Sequence, residues 1–205
     1  VIVLHNNTQI AHPEKVKTDP ERYYACFQID PSEYWYGPGC LTFLNALAES
    51  GQWTPSNKKI AIIASAVEYP IVIGNAIRDK AAEFGWEISL YETVPFPTTQ
   101  WGPVLAKLRE DPPGAILVTH FLAQDLAQFM TQFLTQPTPS LVYMQYGPSL
   151  PVFREIGGES INGVIYSTVT GGLPDDFAAN FRAAYKAKYG ETAAWLTGSQ
   201  TYDGL

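Results

Sequence analysis

The feature that most constrains the fold is an alternation of short apolar runs with longer amphipathic segments. Ile60–Ile63 and Ala115–Val118 are short, continuous and aliphatic, which is typical of strands buried on both faces. The segment 70–84 instead places apolar residues at helical spacing and is followed by Gly85, a residue type that commonly ends helices. Strands that alternate with helices predict βαβ units and a parallel sheet.

The same pattern extends over most of the chain. The predicted strands are 60–63, 86–94, 115–118, 140–144 and 163–169. The predicted helices are 33–49, 70–84, 101–110, 122–134, 151–156 and 175–189. Because crossovers between parallel strands are right-handed, we expect an α/β fold with a doubly wound parallel sheet. We take the strand order to be 2-1-3-4-5, one of the common orders of such sheets.

The two ends of the chain do not fit inside this sheet. Residues 1–30 supply a strand at 1–4, a polar loop and an extended run at Tyr23–Ile29, whereas 169–205 supply two helices without a strand to cover. We therefore predict a nearly whole α/β lobe at 31–168 and assign both flanks to another lobe. The chain opens on a strand and ends as if inside a helix, so we expect sequence to be missing on both sides.

Composition excludes several classes of protein. The chain has 13 basic and 20 acidic residues, a net charge of −7, which argues against nucleic acid or an anionic membrane surface as the main partner. Its 46% hydrophobic and 13% aromatic content excludes disorder, and no stretch of about 20 apolar residues is present to span a bilayer. Cys26 and Cys40 are too few for a disulfide framework, and we expect two separate, unreactive thiols.

Ligands of open parallel sheets bind beyond the carboxyl ends of the strands, where the strand order reverses. The loops expected at that place are Ser65–Tyr69 and Thr119–Leu122, with Gln145–Pro148 beside them. These loops combine aromatic rings with a few hydrogen-bonding groups, which suits a small organic ligand.

Motifs for catalysis are lacking. The sequence has no glycine-rich dinucleotide or phosphate loop, no Gly-x-Ser-x-Gly, and no paired cysteines or His-Glu-x-x-His for a metal. Ser65 ends a strand, but no base can be assigned to it. His120 ends a strand and is interpreted as structural, as is the turn Pro95–Pro97, and Asp175-Asp176 as a helix N-terminal charge. We predict neither cofactor nor metal.

The aromatic residues divide into three groups. Tyr69 lies in the loop after the first strand of the sheet, and we favour a ligand contact for it. For Phe121 and for Tyr34–Tyr36, packing and ligand contact are equally good interpretations, although consecutive rings cannot all face one core. Trp53 and Trp101 are predicted to pack.

A series of segments in a fixed order carries a family resemblance. The segments are Lys58–Ile63 followed by Glu68-Tyr69, then Phe84–Glu87, Trp101–Leu108, Pro113–Val118, Ile161–Val164, Tyr185–Gly190 and Thr201–Asp203. Together they resemble the type I periplasmic solute-binding proteins, in particular the branched-chain amino acid and amide binding group (the Leu/Ile/Val-binding family) of ABC importers. No single segment is diagnostic, but the likeness covers nearly the whole chain.

The resemblance implies two α/β lobes, joined by three crossovers, that close on a solute. It implies a periplasmic, non-enzymatic and monomeric receptor that delivers a small organic solute to an ABC permease in the membrane. Two alternative functions are left open, and both use a site at the same strand ends. One is a ligand-sensing receptor ectodomain, and the other is an enzyme of flavodoxin-like architecture.

The resemblance also assigns site residues. The first-lobe loop that grips a ligand carboxylate in the family corresponds to Asn7 and Thr8, preceded by Asn6. The aromatic residue after the first strand of the second lobe corresponds to Tyr69. The position of the ring after the third strand falls at Phe121 or Leu122.

One position departs from the family pattern. The acid that pairs with the ammonium of an amino acid ligand falls among Gln145, Tyr146 and Gly147, none of which is acidic. A buried ammonium without a carboxylate partner is costly, so Gln145 and Tyr146 favour an amide, a urea-like molecule or an aromatic acid. Glu68 is left open as a substitute acid.

Overall fold

The computed structural model describes residues 2–5, 9–168, 174–191 and 193. The chain divides into two compact units. The first comprises residues 1–33 together with 168–205, and the second comprises residues 34–167.

Helices and strands are numbered in chain order. The first unit holds β1 (Val3–His5), α1 (Ala11–Thr18), β2 (Cys26–Gln28) and α7 (Asp176–Tyr189). The second unit holds α2 (Tyr36–Glu49), β3 (Lys59–Ser65), α3 (Glu68–Lys80), β4 (Glu87–Val94), α4 (Gly102–Glu110), β5 (Ala115–Thr119), α5 (Ala123–Phe133), β6 (Leu141–Gln145), α6 (Pro151–Gly157) and β7 (Ile165–Ser167).

The sheet of the second unit is parallel throughout, with the order β4-β3-β5-β6-β7. Counted along the unit's own strands, this is 2-1-3-4-5, so the predicted fold class and strand order are confirmed. The chain leaves β3 toward β4 on one side and returns to β5 on the other. The reversal of strand order therefore lies between β3 and β5.

Helices cover both faces of this sheet, which explains why β3 and β5 are continuously apolar. Ala61 and Ile63 of β3 belong to one core cluster with side chains of α4 and α5. The alternate residue Ile62 is also fully buried and lies on the side of α3, against Gly74. A strand buried on both faces loses the polar–apolar alternation of a half-exposed strand.

The first unit is a two-stranded parallel sheet with two described helices. Val3 pairs with Cys26 across β1 and β2. The helix α7 begins where predicted, because the Asp175 carboxylate accepts a hydrogen bond of 2.8 Å from the Ala178 backbone N–H. It ends at Gly190, whose φ of 81° is the left-handed conformation that glycine adopts without strain.

Four predictions for the flanks need correction or fall outside the described residues. The polar loop predicted after β1 was wrong, since α1 forms there. Its Glu14 and Lys17 are ion-paired one turn apart, but it buries no residue and so shows no apolar periodicity. The extended run at Tyr23–Ile29 contains only the three residues of β2. Asn6–Thr8 and the second helix predicted within 169–205 lie outside the described residues.

Both cysteines are free thiols, as predicted. Burial raises the pKa of Cys40 well above its usual range, and a hydrogen bond with Tyr143 offsets only part of this effect. We expect iodoacetamide to label the partly exposed Cys26 in the native protein and Cys40 only in urea, because the thiolate is the reactive form. Mass spectrometry of the labelled chain measures this, with Cys26→Ser as the control. Comparable labelling of Cys40 in the native state would contradict the prediction.

Candidate functional site

The carboxyl ends of β3, β5 and β6 form one edge of the second unit's sheet. These ends are Ser65, Thr119 and Gln145, and all three side chains are fully buried. Thr119 donates a hydrogen bond of 2.9 Å to the Pro70 carbonyl in the first turn of α3. This bond ties the end of β5 to the start of α3, which carries Tyr69.

Four rings follow one another along this edge, and we call them the ring wall: Tyr36, Tyr69, Phe121 and Phe96. The Tyr36 and Tyr69 centroids are 6.4 Å apart, Tyr69 and Phe121 are 5.9 Å apart, and Phe121 and Phe96 are 5.0 Å apart. The first two pairs are edge-to-face, a favourable arrangement for aromatic rings. Tyr36 is buried, whereas the other three rings are partly exposed. The wall can therefore offer both ring faces and ring edges to a solute.

Gln145 joins the ring wall to the strand end. Its Nε2 donates a hydrogen bond of 2.7 Å to the Tyr69 hydroxyl. Among the described residues, its Oε1 has no hydrogen-bond partner, and the same holds for the Ser65 hydroxyl on β3. Buried polar atoms are rarely left unpaired in folded proteins, so these two atoms can each form a further hydrogen bond.

Tyr146, directly after β6, has a strained backbone. Its φ of 54° and ψ of −58° lie in a region that residues other than glycine rarely occupy. The conformation is held by two backbone hydrogen bonds, from Tyr146 N to Ser167 O (2.9 Å) and from Ser149 N to Tyr146 O (2.8 Å). Such strain is concentrated at functional positions. Burial raises the pKa of the Tyr146 phenol, so it stays protonated at neutral pH.

His120 lies beneath the ring wall and is fully buried. Its Nδ1 accepts a hydrogen bond of 3.1 Å from the Leu122 backbone N–H. Its Nε2 lies 3.1 Å from Asp125 Oδ2, close but not aligned as a hydrogen bond. Burial lowers the pKa of His120, and the Asp125 carboxylate opposes this effect. Both ring nitrogens face groups of the second unit's interior, which fits the structural role predicted for this residue.

The groups at this edge have the character of a binding site for a small organic molecule. The buried Ser65 hydroxyl has no hydrogen-bond partner among the described residues, so it lacks the adjacent base that activates a nucleophile. In the part of the chain that the structure describes, no three His, Cys, Asp or Glu side chains gather as metal ligands do. Aromatic rings with one amide and one phenol can hold the apolar body of a small molecule and its polar groups.

The structure places the predicted site residues as follows. Tyr69, Phe121, Gln145 and Tyr146 all lie at the same edge, and two of them are hydrogen-bonded to each other. Asn7 and Thr8 are outside the described residues. Sequence reasoning did not assign Phe96 to the site, because its place between two prolines favoured a turn. Trp101 is fully buried and Trp53 stacks on Trp86, as expected for packing residues.

A surface cavity of about 350 Å³ lies elsewhere on the second unit. Its lining comes from α6, β7 and the segments that flank them, and includes Phe153, Arg154 and Tyr166. Tyr69, Phe121, Gln145 and Tyr146 do not line this cavity. The candidate site lies instead at the carboxyl ends of the strands.

The profile of one protein family, described as periplasmic binding protein, matches residues 16–204. The chain belongs to this family. The resemblance and the fold class inferred from the sequence are thereby confirmed. Among the described helices of this periplasmic binding protein, none is long and apolar enough to cross a membrane. A comparison with curated proteins finds no match.

Three solved structures share the fold of this chain, and one of them is also close in sequence. The chain is 51% identical to a proposed branched-chain amino acid ABC transporter protein from Silicibacter pomeroyi, with a TM-score of 0.93 over the whole chain and 52% of that protein. A protein of the same description from Rhodospirillum rubrum is 22% identical (TM-score 0.77, 95% of this chain and 52% of that one). A leucine-binding protein from Thermotoga maritima is 18% identical (TM-score 0.74, 99% and 61%).

The last two likenesses show the fold alone. The chain spans about half the length of the Silicibacter and Rhodospirillum proteins.

Proposed function

We propose that the chain is part of an extracytoplasmic, non-enzymatic solute receptor that serves an ABC permease. Family membership supports the class of receptor, and the name of the Silicibacter relative supports its service to an ABC transporter. The observation that carries the assignment of the site is the hydrogen bond between Gln145 and Tyr69 at the reversal of strand order, with a buried Gln145 oxygen left for another donor.

We further propose that binding works by closure of two lobes. In this proposal, the ring wall with Gln145 and Tyr146 forms the second-lobe side of the site, and Asn7 and Thr8 form the clamp of the first lobe. A solute that touches both lobes only in the closed form favours that form by the free energy of the added contacts. A permease that recognises the closed form then distinguishes loaded from empty receptor.

The side chains at the edge favour a solute whose end facing the second unit is uncharged. The position at which amino acid binders of the resembled family carry an acid falls among Gln145, Tyr146 and Gly147, none of which is acidic, and the Tyr146 phenol keeps its proton. Glu68, the candidate substitute, is exposed at the start of α3, so its carboxylate is hydrated and gives a weak counter-charge. An amide or an aromatic acid fits these groups better than a branched-chain amino acid, the class named for the relatives.

Titration calorimetry with L-leucine, benzamide and benzoate tests the proposal. We expect benzamide or benzoate to bind more tightly than L-leucine, because the edge provides no buried acid for an ammonium. Mass spectrometry of any small molecule released from the purified protein gives the natural solute independently. Binding of L-leucine in preference to both aromatic compounds would contradict the solute class, and failure of all three together with no released molecule would count against the receptor function.

Substitutions at the edge test the site itself. Tyr69→Ala and Gln145→Ala are each expected to lower the affinity for the tightest-binding probe about tenfold or more, the equivalent of about 1.4 kcal/mol. Tyr69→Phe keeps the ring and is expected to lose less. Tyr91→Phe is the matched control, because it also removes a phenol hydrogen bond, 3.1 Å to Asn75, but away from the edge. Unchanged affinity in both alanine variants would refute the site.

A further inference from the structure

Two loops that carry ring-wall residues meet at one buried carboxylate. The loop after β4 carries Phe96, and its Thr98 backbone N–H donates to Asp125 Oδ2 at 2.8 Å. The same oxygen lies 3.1 Å from His120 Nε2, at the start of the loop after β5 that carries Phe121. Asp125 is 2% exposed, so the two loops share an anchor that water does not reach.

A second hydrogen bond makes the conformation of the loop that carries Phe121 depend on the protonation state of the His120 ring. The Leu122 N–H, directly after Phe121, donates to His120 Nδ1 at 3.1 Å. A nitrogen that accepts a hydrogen bond carries no hydrogen, so the neutral ring holds its proton on Nε2, facing Asp125. Phe121 therefore lies between the end of β5 and the Leu122–His120 hydrogen bond. That hydrogen bond forms only while His120 is neutral.

We propose that His120 is a positioning residue that holds the Phe96–Phe121 part of the ring wall, and that its protonation weakens solute binding. This inference rests on the proposed function, because it concerns the regulation of the same site. His120 does not touch the solute in this account. It acts through the Leu122 bond and through the Asp125 anchor.

The physical reason is the loss of an acceptor. When Nδ1 gains a proton, two N–H donors face each other at about hydrogen-bond distance, so the Leu122 bond breaks and the turn has to rearrange. Asp125 from α5 is the charged group that faces the ring, and Phe96 and Trp101 contact it as uncharged rings.

The direction of the pH effect follows from the burial. Burial lowers the pKa of His120 below its ordinary value of about 6.5, with the Asp125 charge acting in the opposite sense. The neutral ring and the ordered wall therefore persist at neutral pH. They are lost as the pH falls through the folded-state pKa, and solute affinity falls with them by up to about tenfold per pH unit.

Nuclear magnetic resonance of the 205-residue chain without any solute tests the positioning directly. Between about pH 8 and about pH 4.5, we expect the His120 ring nitrogens, the Leu122 amide and the Phe121 ring signals to move with one common midpoint below 6.5. At the upper pH, the nitrogen shifts should show the proton on Nε2. Phe121 and Leu122 signals that stay fixed while His120 titrates would overturn the inference.

Variants separate positioning from a general effect of acid. In His120→Asn, the amide oxygen replaces Nδ1 as the acceptor for Leu122 but does not titrate, so we expect a formed wall whose signals no longer follow pH. His12→Asn, in the other unit, is the control and should leave the Phe121 titration unchanged. A Phe121 titration that persists in His120→Asn would also overturn the inference. If that variant does not fold, the wild-type titration with the His12→Asn control decides.

Calorimetry with benzamide and L-leucine across the same pH range distinguishes this inference from the proposed function. We expect the affinity of the bound probe to fall below the midpoint in wild-type protein and to stay constant in His120→Asn. Binding that ignores pH would overturn the regulation while upholding the receptor. If the NMR signals of the ring wall titrate with His120 but neither benzamide nor L-leucine binds, the positioning role of His120 would be upheld. That result would count against the proposed class of solute.

Discussion

Replacing Asp125 by alanine is expected to lower the free energy of unfolding by about 2–4 kcal/mol. The substitution removes the acceptor of the buried Thr98 N–H and leaves His120 without the carboxylate that faces it. A buried donor without a partner keeps its full desolvation cost, which is larger than the net value of the bond. Both ring-wall loops lose their common anchor, so we expect weaker binding of the calorimetric probes as well.

Urea unfolding followed by circular dichroism measures this prediction. Asp125→Asn keeps a side-chain oxygen for Thr98 and is expected to be less destabilised than the alanine variant. Asp79→Ala is the control, because Asp79 is 62% exposed in its ion pair with Arg78 and its loss should leave the midpoint nearly unchanged. An Asp125→Ala protein as stable as the Asp79→Ala protein would show that the buried anchor carries no stability.

Replacing Gly114 by alanine is expected to be at least as damaging, by about 3 kcal/mol or more. A Cβ atom at Gly114 would lie 2.1 Å from the Asn57 carbonyl oxygen, far inside van der Waals contact. The two residues are held together because the Gly114 N–H donates to Asn57 Oδ1 at 2.8 Å. The same oxygen accepts from the Lys59 N–H at 2.9 Å, so the clash would strain the entry to both β3 and β5.

Gly102→Ala is the matched control for Gly114→Ala. Gly102 opens α4, and nothing lies within 4 Å of the position its Cβ would take. Alanine is the better helix former, so we expect the control to be neutral or slightly stabilised. Equal unfolding midpoints for the two variants would mean that Asn57 moves aside without cost.

The sequence determines the sheet well because its strands are of the kind that pattern analysis recognises. In β3 and β5, both faces are covered by helices, so the strands are unbroken apolar runs between loops. The helix α1 was not recognised because it buries none of its residues and therefore carries no apolar face. A helix that buries no face has no apolar residues at helical spacing, so an analysis of the apolar pattern does not detect it.

The candidate site was predictable to the extent that it follows from topology. Tyr69, Phe121, Gln145 and Tyr146 lie at the end of a strand or within a few residues after one, and parallel strands bring their carboxyl ends to one edge. The Gln145–Tyr69 bond joins residues 76 positions apart, so no local pattern could reveal it. Phe96 was not assigned because the prolines on both sides are equally typical of a turn with no other role.

The sequence by itself determined the α/β class, because apolar periodicity distinguishes its strands from its helices, and its ordered segments carried the resemblance to the family that the profile match shows. Only the tertiary structure decided which side chains meet: the Gln145 amide on Tyr69, and the His120 ring between Leu122 and Asp125. Hydrogen bonds require partners within about 3 Å in a defined direction. For Gln145 and Tyr69, that condition depends on the packing of elements far apart in sequence. For His120, it depends on the backbone conformation between β5 and α5, which an apolar pattern does not specify.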